Sequence, residues 1–135
     1  MSKKLYFIAE AGSNFDSNFD QALRLIDIAK ESGADAVKFQ IFKADFLSPN
    51  KETEIYKTLK KCELPRTWIP DLSKYCKKIK IDFLASPFDL EAIELLENIG
   101  VRYYKIASSE IDNFSLLKKI SKNKKPIFLS TGMCE

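Results

Sequence analysis

Short apolar runs alternate with segments of helical period from one end of this chain to the other, and no other feature constrains its fold as tightly. The runs fall at residues 5–9, 34–39, 81–85, 103–107 and 126–130. Each has the length of a strand and is too continuous to keep one side in water. The segments between them read as helices. Ala22, Leu25, Ile26 and Ala29 form one stripe behind a cap at Asp16 or Asn18, and Gly33 supplies a left-handed residue that ends it. A turn at Ser48-Pro49-Asn50 precedes a short helical piece over 55–61, and a second helix follows Pro65 to about residue 78. A third spans 89–98 with Ala92, Ile93, Leu95 and Leu96 apolar. A fourth, capped by Asn113 or Ser115, runs to about residue 121. The order β-α-β-α-β-α-β-α-β predicts a parallel sheet with helical crossovers.

Two α/β architectures suit that order. At 135 residues the chain is long enough for a complete five-stranded doubly wound domain. It also matches the first half, about five strands, of a (β/α)₈ barrel, which takes about 250 residues. The sequence reaches Ser130-Thr131-Gly132-Met133-Cys134-Glu135 just past the fifth run, without the helix that covers the last strand of a doubly wound sheet. That favours an incomplete barrel. Spatial strand order separates the two, 1-2-3-4-5 for the half barrel and 2-1-3-4-5 for a flavodoxin-like domain.

Composition narrows the chemistry. The net charge of +3 is small and mixed in sign, which argues against nucleic acid or an anionic membrane as partner. The chain has no histidine, so it holds no Ser-His-Asp triad, no Cys-His pair and no imidazole metal ligand. Acid–base work falls to carboxylates, lysines, tyrosines or cysteines. Cys62, Cys76 and Cys134 are odd in number and form no C-x-x-C pair, which reads as free thiols in a reducing compartment. The apolar run near the N-terminus is too short for a signal sequence or a membrane span, so a cytoplasmic location is expected.

Ligands of parallel α/β folds sit beyond the carboxyl ends of the strands. The first run leads to Glu10, Gly12, Ser13 and Asn14, and the second to Lys38 and Gln40. The third leads to Ser86, the fourth to Lys105, Ser108, Ser109 and Glu110, and the fifth to Ser130 and Thr131. Two lysines with several hydroxyls and glycine backbone suit a phosphate, or a phosphate plus a carboxylate. Glu10 and Glu110 are candidates to polarise a hydroxyl or move a proton. Each residue also has a plainer reading. Lys38 can lie at a solvent edge, Glu10 can pair with a lysine, and Ser86, Ser130 and Asn14 can be turn residues. Ser108 and Glu110 can precede and cap the next helix. The lysines between 118 and 125 read as a solvated face, and Phe39, Phe83 and Tyr103 as core. A self-contained flavodoxin-like phosphate-binding or signalling domain is the alternative, although a phospho-receiver needs an aspartate where Ser86 stands.

Five segments together resemble one family. They are Ile8-Ala9-Glu10-Ala11-Gly12-Ser13-Asn14, Gly33-Ala34-Asp35-Ala36-Val37-Lys38-Phe39-Gln40, and Phe83-Leu84-Ala85-Ser86-Pro87-Phe88-Asp89. Lys105-Ile106-Ala107-Ser108-Ser109-Glu110 and Pro126-Ile127-Phe128-Leu129-Ser130-Thr131-Gly132-Met133 complete the series. It is similar to the N-acetylneuraminate (sialic acid) synthases and their pseudaminic and legionaminic acid relatives. The resemblance implies residues 1–135 as the N-terminal part of a TIM barrel, the rest of which precedes a small antifreeze-like domain. It implies a transferase that condenses phosphoenolpyruvate with an N-acetylated hexose such as N-acetylmannosamine, with release of phosphate. It further implies a divalent metal, Mn²⁺ or Mg²⁺, whose histidine ligands lie on later strands, and a homodimer when full length. By motif position Lys38, Ser86, Lys105, Ser108 and Ser130 would hold phosphoenolpyruvate. Glu10 and Glu110 would be active-site carboxylates, and Gln40 and Asn14 would lie near substrate or metal. The 135-residue chain alone is expected to be inactive. The chain departs from the family at Phe15, where a histidine is usual, and at Asp16-Ser17, where a glycine is usual.

Overall fold

The computed structural model describes residues 5–133. Cys134, read above as a free thiol, lies outside them. Five strands alternate with helices: β1 (Ile8–Gly12), α1 (Phe19–Glu31), β2 (Ala36–Ile41), α2 (Ala44–Leu47) and α3 (Glu54–Cys62). These are followed by α4 (Ile69–Ile79), β3 (Asp82–Pro87), α5 (Leu90–Asn98), β4 (Tyr104–Ile106), α6 (Phe114–Ser121) and β5 (Ile127–Leu129). The helix starts follow from side-chain capping. Asn18, Thr53, Asp89 and Asn113 each accept the backbone N–H three residues on, which satisfies a donor the helix leaves open. Of the paired options, Asn18 caps α1 and Asn113 caps α6. Asp16 sits instead in a turn, where Asp16 and Ser17 both hold positive φ (48° and 51°). That conformation costs a side-chain-bearing residue roughly 1–2 kcal/mol, and it explains why a glycine suits this stretch.

All pairings are parallel. β2 lies between β1 and β3, β4 pairs with β5, and β4 lies beside β3. With β2 in the middle, the flavodoxin-like order, which needs β1 there, is ruled out. The strip is strongly curled. Tyr6, just before β1, stacks on Phe128 of β5 at 5.8 Å between ring centroids and meets Tyr103 edge-on at 5.5 Å.

Strand boundaries differ from the sequence expectation in a consistent way. The first strand was expected over 5–9 and runs Ile8–Gly12. The second was expected over 34–39 and runs Ala36–Ile41, and the third, expected over 81–85, runs Asp82–Pro87. Ladder pairing sets these limits. Ala36 to Ile41 pair one for one with Asp82 to Pro87, so Lys38, Gln40 and Ser86 lie within strands rather than past them. Leu5 and Phe7 remain exposed outside the ladder. The helix expected after Pro65 opens as a 3₁₀ turn over Arg66–Trp68 before α4.

Side chains alternate across a strand, so each sheet face draws on every second residue. Val37, Phe39, Ile41, Phe83, Ala85, Tyr104 and Ile106 belong to the core shared with Ala22 and Ile26 of α1, Leu72 and Cys76 of α4, and Ile93 and Leu96 of α5. Phe15 is fully buried and packs edge-on against Trp68. It is therefore a core residue. Burial pushes the Cys76 thiol up to about 12, so it stays protonated and inert.

Candidate active site

The face turned away from the helices has two levels. The lower one is aromatic. Tyr6, Tyr103 and Phe128 close it, and the Tyr6 hydroxyl donates to Asp82 at the start of β3. Burial and that carboxylate push Tyr6 well above the ordinary tyrosine range, so it stays a donor. Leu84, also on this face, is 1% exposed. The upper level, toward the carboxyl ends, is polar and carries most of the candidates.

Glu10, Lys38 and Leu84 occupy one register row, and Gln40 and Ser86 the next row on this face. Lys38 is 9% exposed and forms an ion pair with the half-exposed Glu10. This matches the plainer expectation for Glu10, pairing with a lysine, and it places that pair on the candidate face. Ser86 is buried beside Gln40 in register. Lys105 shares a row with Phe128, and its ammonium donates to the Ser130 hydroxyl and, at 2.7 Å, to the Ile106 carbonyl. Burial lowers the Lys105 pKa below the ordinary lysine value. The Lys38 ammonium lowers it further, and Glu10 partly opposes this. Two ammonium groups sense each other across one face with a single carboxylate, Glu10, beside them, so the three groups together keep a positive charge, which suits an anion.

Local backbone geometry aims Glu10. The β1 register slips between Glu10 and Gly12, a bulge with Gly12 at φ 55°. A Cβ at Gly12 would sit 3.3 Å from Glu10 Oε1 and 3.9 Å from Asn14 Nδ2. Only the Glu10 contact is tight, and it is the end of a flexible, half-exposed side chain, so glycine is favoured here chiefly by its positive φ. Asn14 is exposed, and its amide donates to the Ala11 carbonyl at 3.1 Å. Its position beside Glu10 is the part of its candidacy that the geometry supports. Ser13 Oγ is enclosed without a hydrogen-bond partner.

Ser108 and Glu110 lie in a 3₁₀ turn, Ser108–Glu110, directly after β4. Ser108 is half-buried. Glu110 is buried and accepts Asn113 Nδ2 at 2.9 Å and Ser109 Oγ at 3.3 Å. It lines a pocket of about 470 Å³ with Phe46, Leu47, Leu90 and Asn113. These lining residues were missed in the sequence. α2 spans only four residues and shows no apolar period, and Asn113 was read only as a cap. A part-buried pair was missed as well. Arg66 forms a two-pronged salt bridge with Asp89, the cap of α5, and so ties the loop after β3 to the start of α4.

The donors present do not by themselves fit the implied divalent metal, because no three His, Cys, Asp or Glu side chains converge among the described residues. No helix among them is long and apolar enough to cross a membrane.

The NeuB family matches residues 25–135. The N,N'-diacetyllegionaminic acid synthase of Campylobacter jejuni is 42% identical over 97% of this chain and 43% of its own length. The pseudaminic acid synthase of Helicobacter pylori is 31% identical over 93% of this chain and 41% of its own. Among solved structures, the sialic acid synthetase of Leptospira borgpetersenii, determined with citrate, superposes with a TM-score of 0.92 at 32% identity. That alignment covers 98% of this chain and 46% of the other. The chain thus spans less than half the length of these relatives.

Proposed function

Because this chain belongs to the NeuB family, whose members include sialic, legionaminic and pseudaminic acid synthases, we propose that it carries the phosphoenolpyruvate-binding part of a nonulosonic acid synthase. The observation that carries this reading is the convergence of Lys38 and Lys105 on one sheet face with Ser86, Ser130 and Glu10 around them. Phosphoenolpyruvate places a phosphate and a carboxylate a few bonds apart. Two ammonium groups neutralise it, and the hydroxyls of Ser86, Ser108 and Ser130 supply directed hydrogen bonds.

The proposed reaction joins C3 of phosphoenolpyruvate to the aldehyde carbon of an open-chain N-acetylated hexose such as N-acetylmannosamine. The enol π electrons form the new bond, and the aldehyde oxygen takes up a proton. Water then adds at C2, and the tetrahedral intermediate releases phosphate by C–O cleavage. The residues of this chain hold the phosphate as its charge changes, so their main contribution is electrostatic. In this reading Glu10, ion-paired yet half-exposed, accepts the proton of the attacking water, and Gln40 and Asn14 serve the substrate side of the same rim. Polarising the acceptor aldehyde is assigned to none of the described residues. In this reading the strip is the first part of a TIM barrel. A longer form supplies the remaining strands, the metal ligands, the antifreeze-like domain and a homodimer contact.

The test is phosphate release from phosphoenolpyruvate in the presence of N-acetylmannosamine or other nonulosonate precursors. The 135-residue chain is expected to be inactive while still binding phosphoenolpyruvate, and a full-length form is expected to turn over. A full-length form inert with every precursor overturns the proposal.

A further inference from the structure

The pairing of β2 with β3 does not stop at the last residues of the two strands. Gln40 and Ser86 share a register row, and Ile41 and Pro87 share the next. One residue on, the Phe88 N–H still donates to the Ile41 carbonyl at 3.1 Å, and the Phe42 and Phe88 rings meet edge-on with centroids 6.0 Å apart. Lys43 and Asp89 follow, each three residues past the row of Gln40 and Ser86. From here side chains take over from backbone. Lys43 donates to Glu91 at 2.7 Å, and Glu91 pairs with Arg66 at 2.9 Å. Arg66 grips both oxygens of Asp89, at 3.1 and 2.5 Å. The same Asp89 carboxylate accepts the Ala92 N–H at 2.9 Å and so starts α5.

This chain of charges is more than a surface ion pair. The Arg66 and Asp89 side chains are only 15% and 11% exposed, so water and salt screen them little. A two-pronged guanidinium–carboxylate contact fixes direction as well as distance. Lys43 and Arg66 hold the Glu91 carboxyl below the usual carboxylate range, so the link between the two cations stays ionised. Ser86 lies at the root of the loop that this network pins. It is buried, so its hydroxyl points where the end of β3 points it. We propose that Arg66 is a positioning residue for phosphoenolpyruvate. Through Asp89 it fixes the end of β3 against the end of β2, and so sets the direction of the Ser86 hydroxyl. The inference rests on the reading that the Ser86 row takes phosphoenolpyruvate, and it gives an arginine outside that row a share in binding.

A double-mutant cycle with Ser86→Ala tests it, read by calorimetric titration of phosphoenolpyruvate into the 135-residue chain. Ser86→Ala alone is expected to weaken binding about tenfold, the worth of a hydrogen bond to a charged group. Arg66→Met is expected to weaken it about tenfold in the parent chain. In the Ser86→Ala background the same change is expected to weaken it by less than about twofold, because the hydroxyl it aims is gone. Arg66→Lys keeps the charge and loses the fork, so a loss of about threefold is expected. Urea midpoints should drop equally with and without the Ser86 hydroxyl, which separates stability from positioning. The inference is overturned if Arg66→Met leaves affinity unchanged in the parent, or weakens it alike in both backgrounds, as a merely structural role would. Should the methionine variant not fold, Arg66→Lys decides by the same cycle. If the parent binds no phosphoenolpyruvate, or Ser86→Ala binds it as tightly as the parent, the reading of the Ser86 row fails and takes the inference with it.

Discussion

Residues 38 and 39 are neighbours in one strand with opposite tasks. Phe39 is fully buried, stacks on Phe83 and joins the core beneath the helices. Lys38 is almost as buried but points to the other face, where it meets Glu10 and the field of Lys105. The helix-side face is a packed interior whose worth is measured in stability. The other face spends burial on charge, which costs stability and makes sense where an anion is bound. Substitutions on the two faces should therefore fail in different assays.

Phe39→Ala breaks the first face. Truncating a fully buried aromatic is expected to cost about 3–5 kcal/mol, read as a lowered urea midpoint in chemical denaturation. A loss below about 1 kcal/mol, the level of surface substitutions, would mean the face is not the folding core. Lys38→Met breaks the second. Its partner Glu10 is half-exposed and returns to water, so the fold should hold. Phosphoenolpyruvate binding by calorimetry should fall about 10- to 100-fold, the worth of one hydrogen bond to a charged group. Unchanged affinity would remove Lys38 from the site.

Gly12→Ala probes the joint between the two faces. The positive φ alone is expected to cost roughly 1–2 kcal/mol, and the new methyl would press on Glu10 Oε1. Stability and phosphoenolpyruvate affinity should therefore fall together. A variant as stable as the parent would show that the bulge relaxes without strain.

The helix-side face was the legible one. Its apolar stripes, caps and left-handed helix end stand in the sequence at the right period, and α1, α4 and α5 formed where that period placed them. The other face was legible only as an inventory. Lys38, Lys105, Ser86 and Ser130 were identifiable because polar groups inside apolar runs are conspicuous. Their mutual placement was not, because it depends on ladder register, and the apolar runs misplaced the strands by up to three residues. Glu10 pairing with Lys38 is a register fact, set by the bulge at Gly12. The pocket wall at Phe46 and Leu90 left no signal, since an exposed apolar residue on a short helix looks like noise until a buried carboxylate is found behind it.

The finest contrast is a titration. Burial and the Lys38 ammonium hold the Lys105 pKa below the ordinary 10.5. In the window between the lowered value and 10.5, the folded chain binds fewer protons than the unfolded one. Stability therefore rises with pH across this window. The cost of charging Lys105 is fully present below the lowered value and is gone above 10.5. Anion binding runs the other way. As Lys105 loses its proton, the site loses a charge, so phosphoenolpyruvate affinity should fall at a pH where an exposed lysine is still fully protonated. Lys105→Arg keeps the charge at every accessible pH and should flatten both profiles, which calorimetric titration and denaturation from pH 8 to about 10.5 would read. An arginine variant that still loses affinity over the same window would move the titrating group away from Lys105. With it would go the claim that the two lysines share one field.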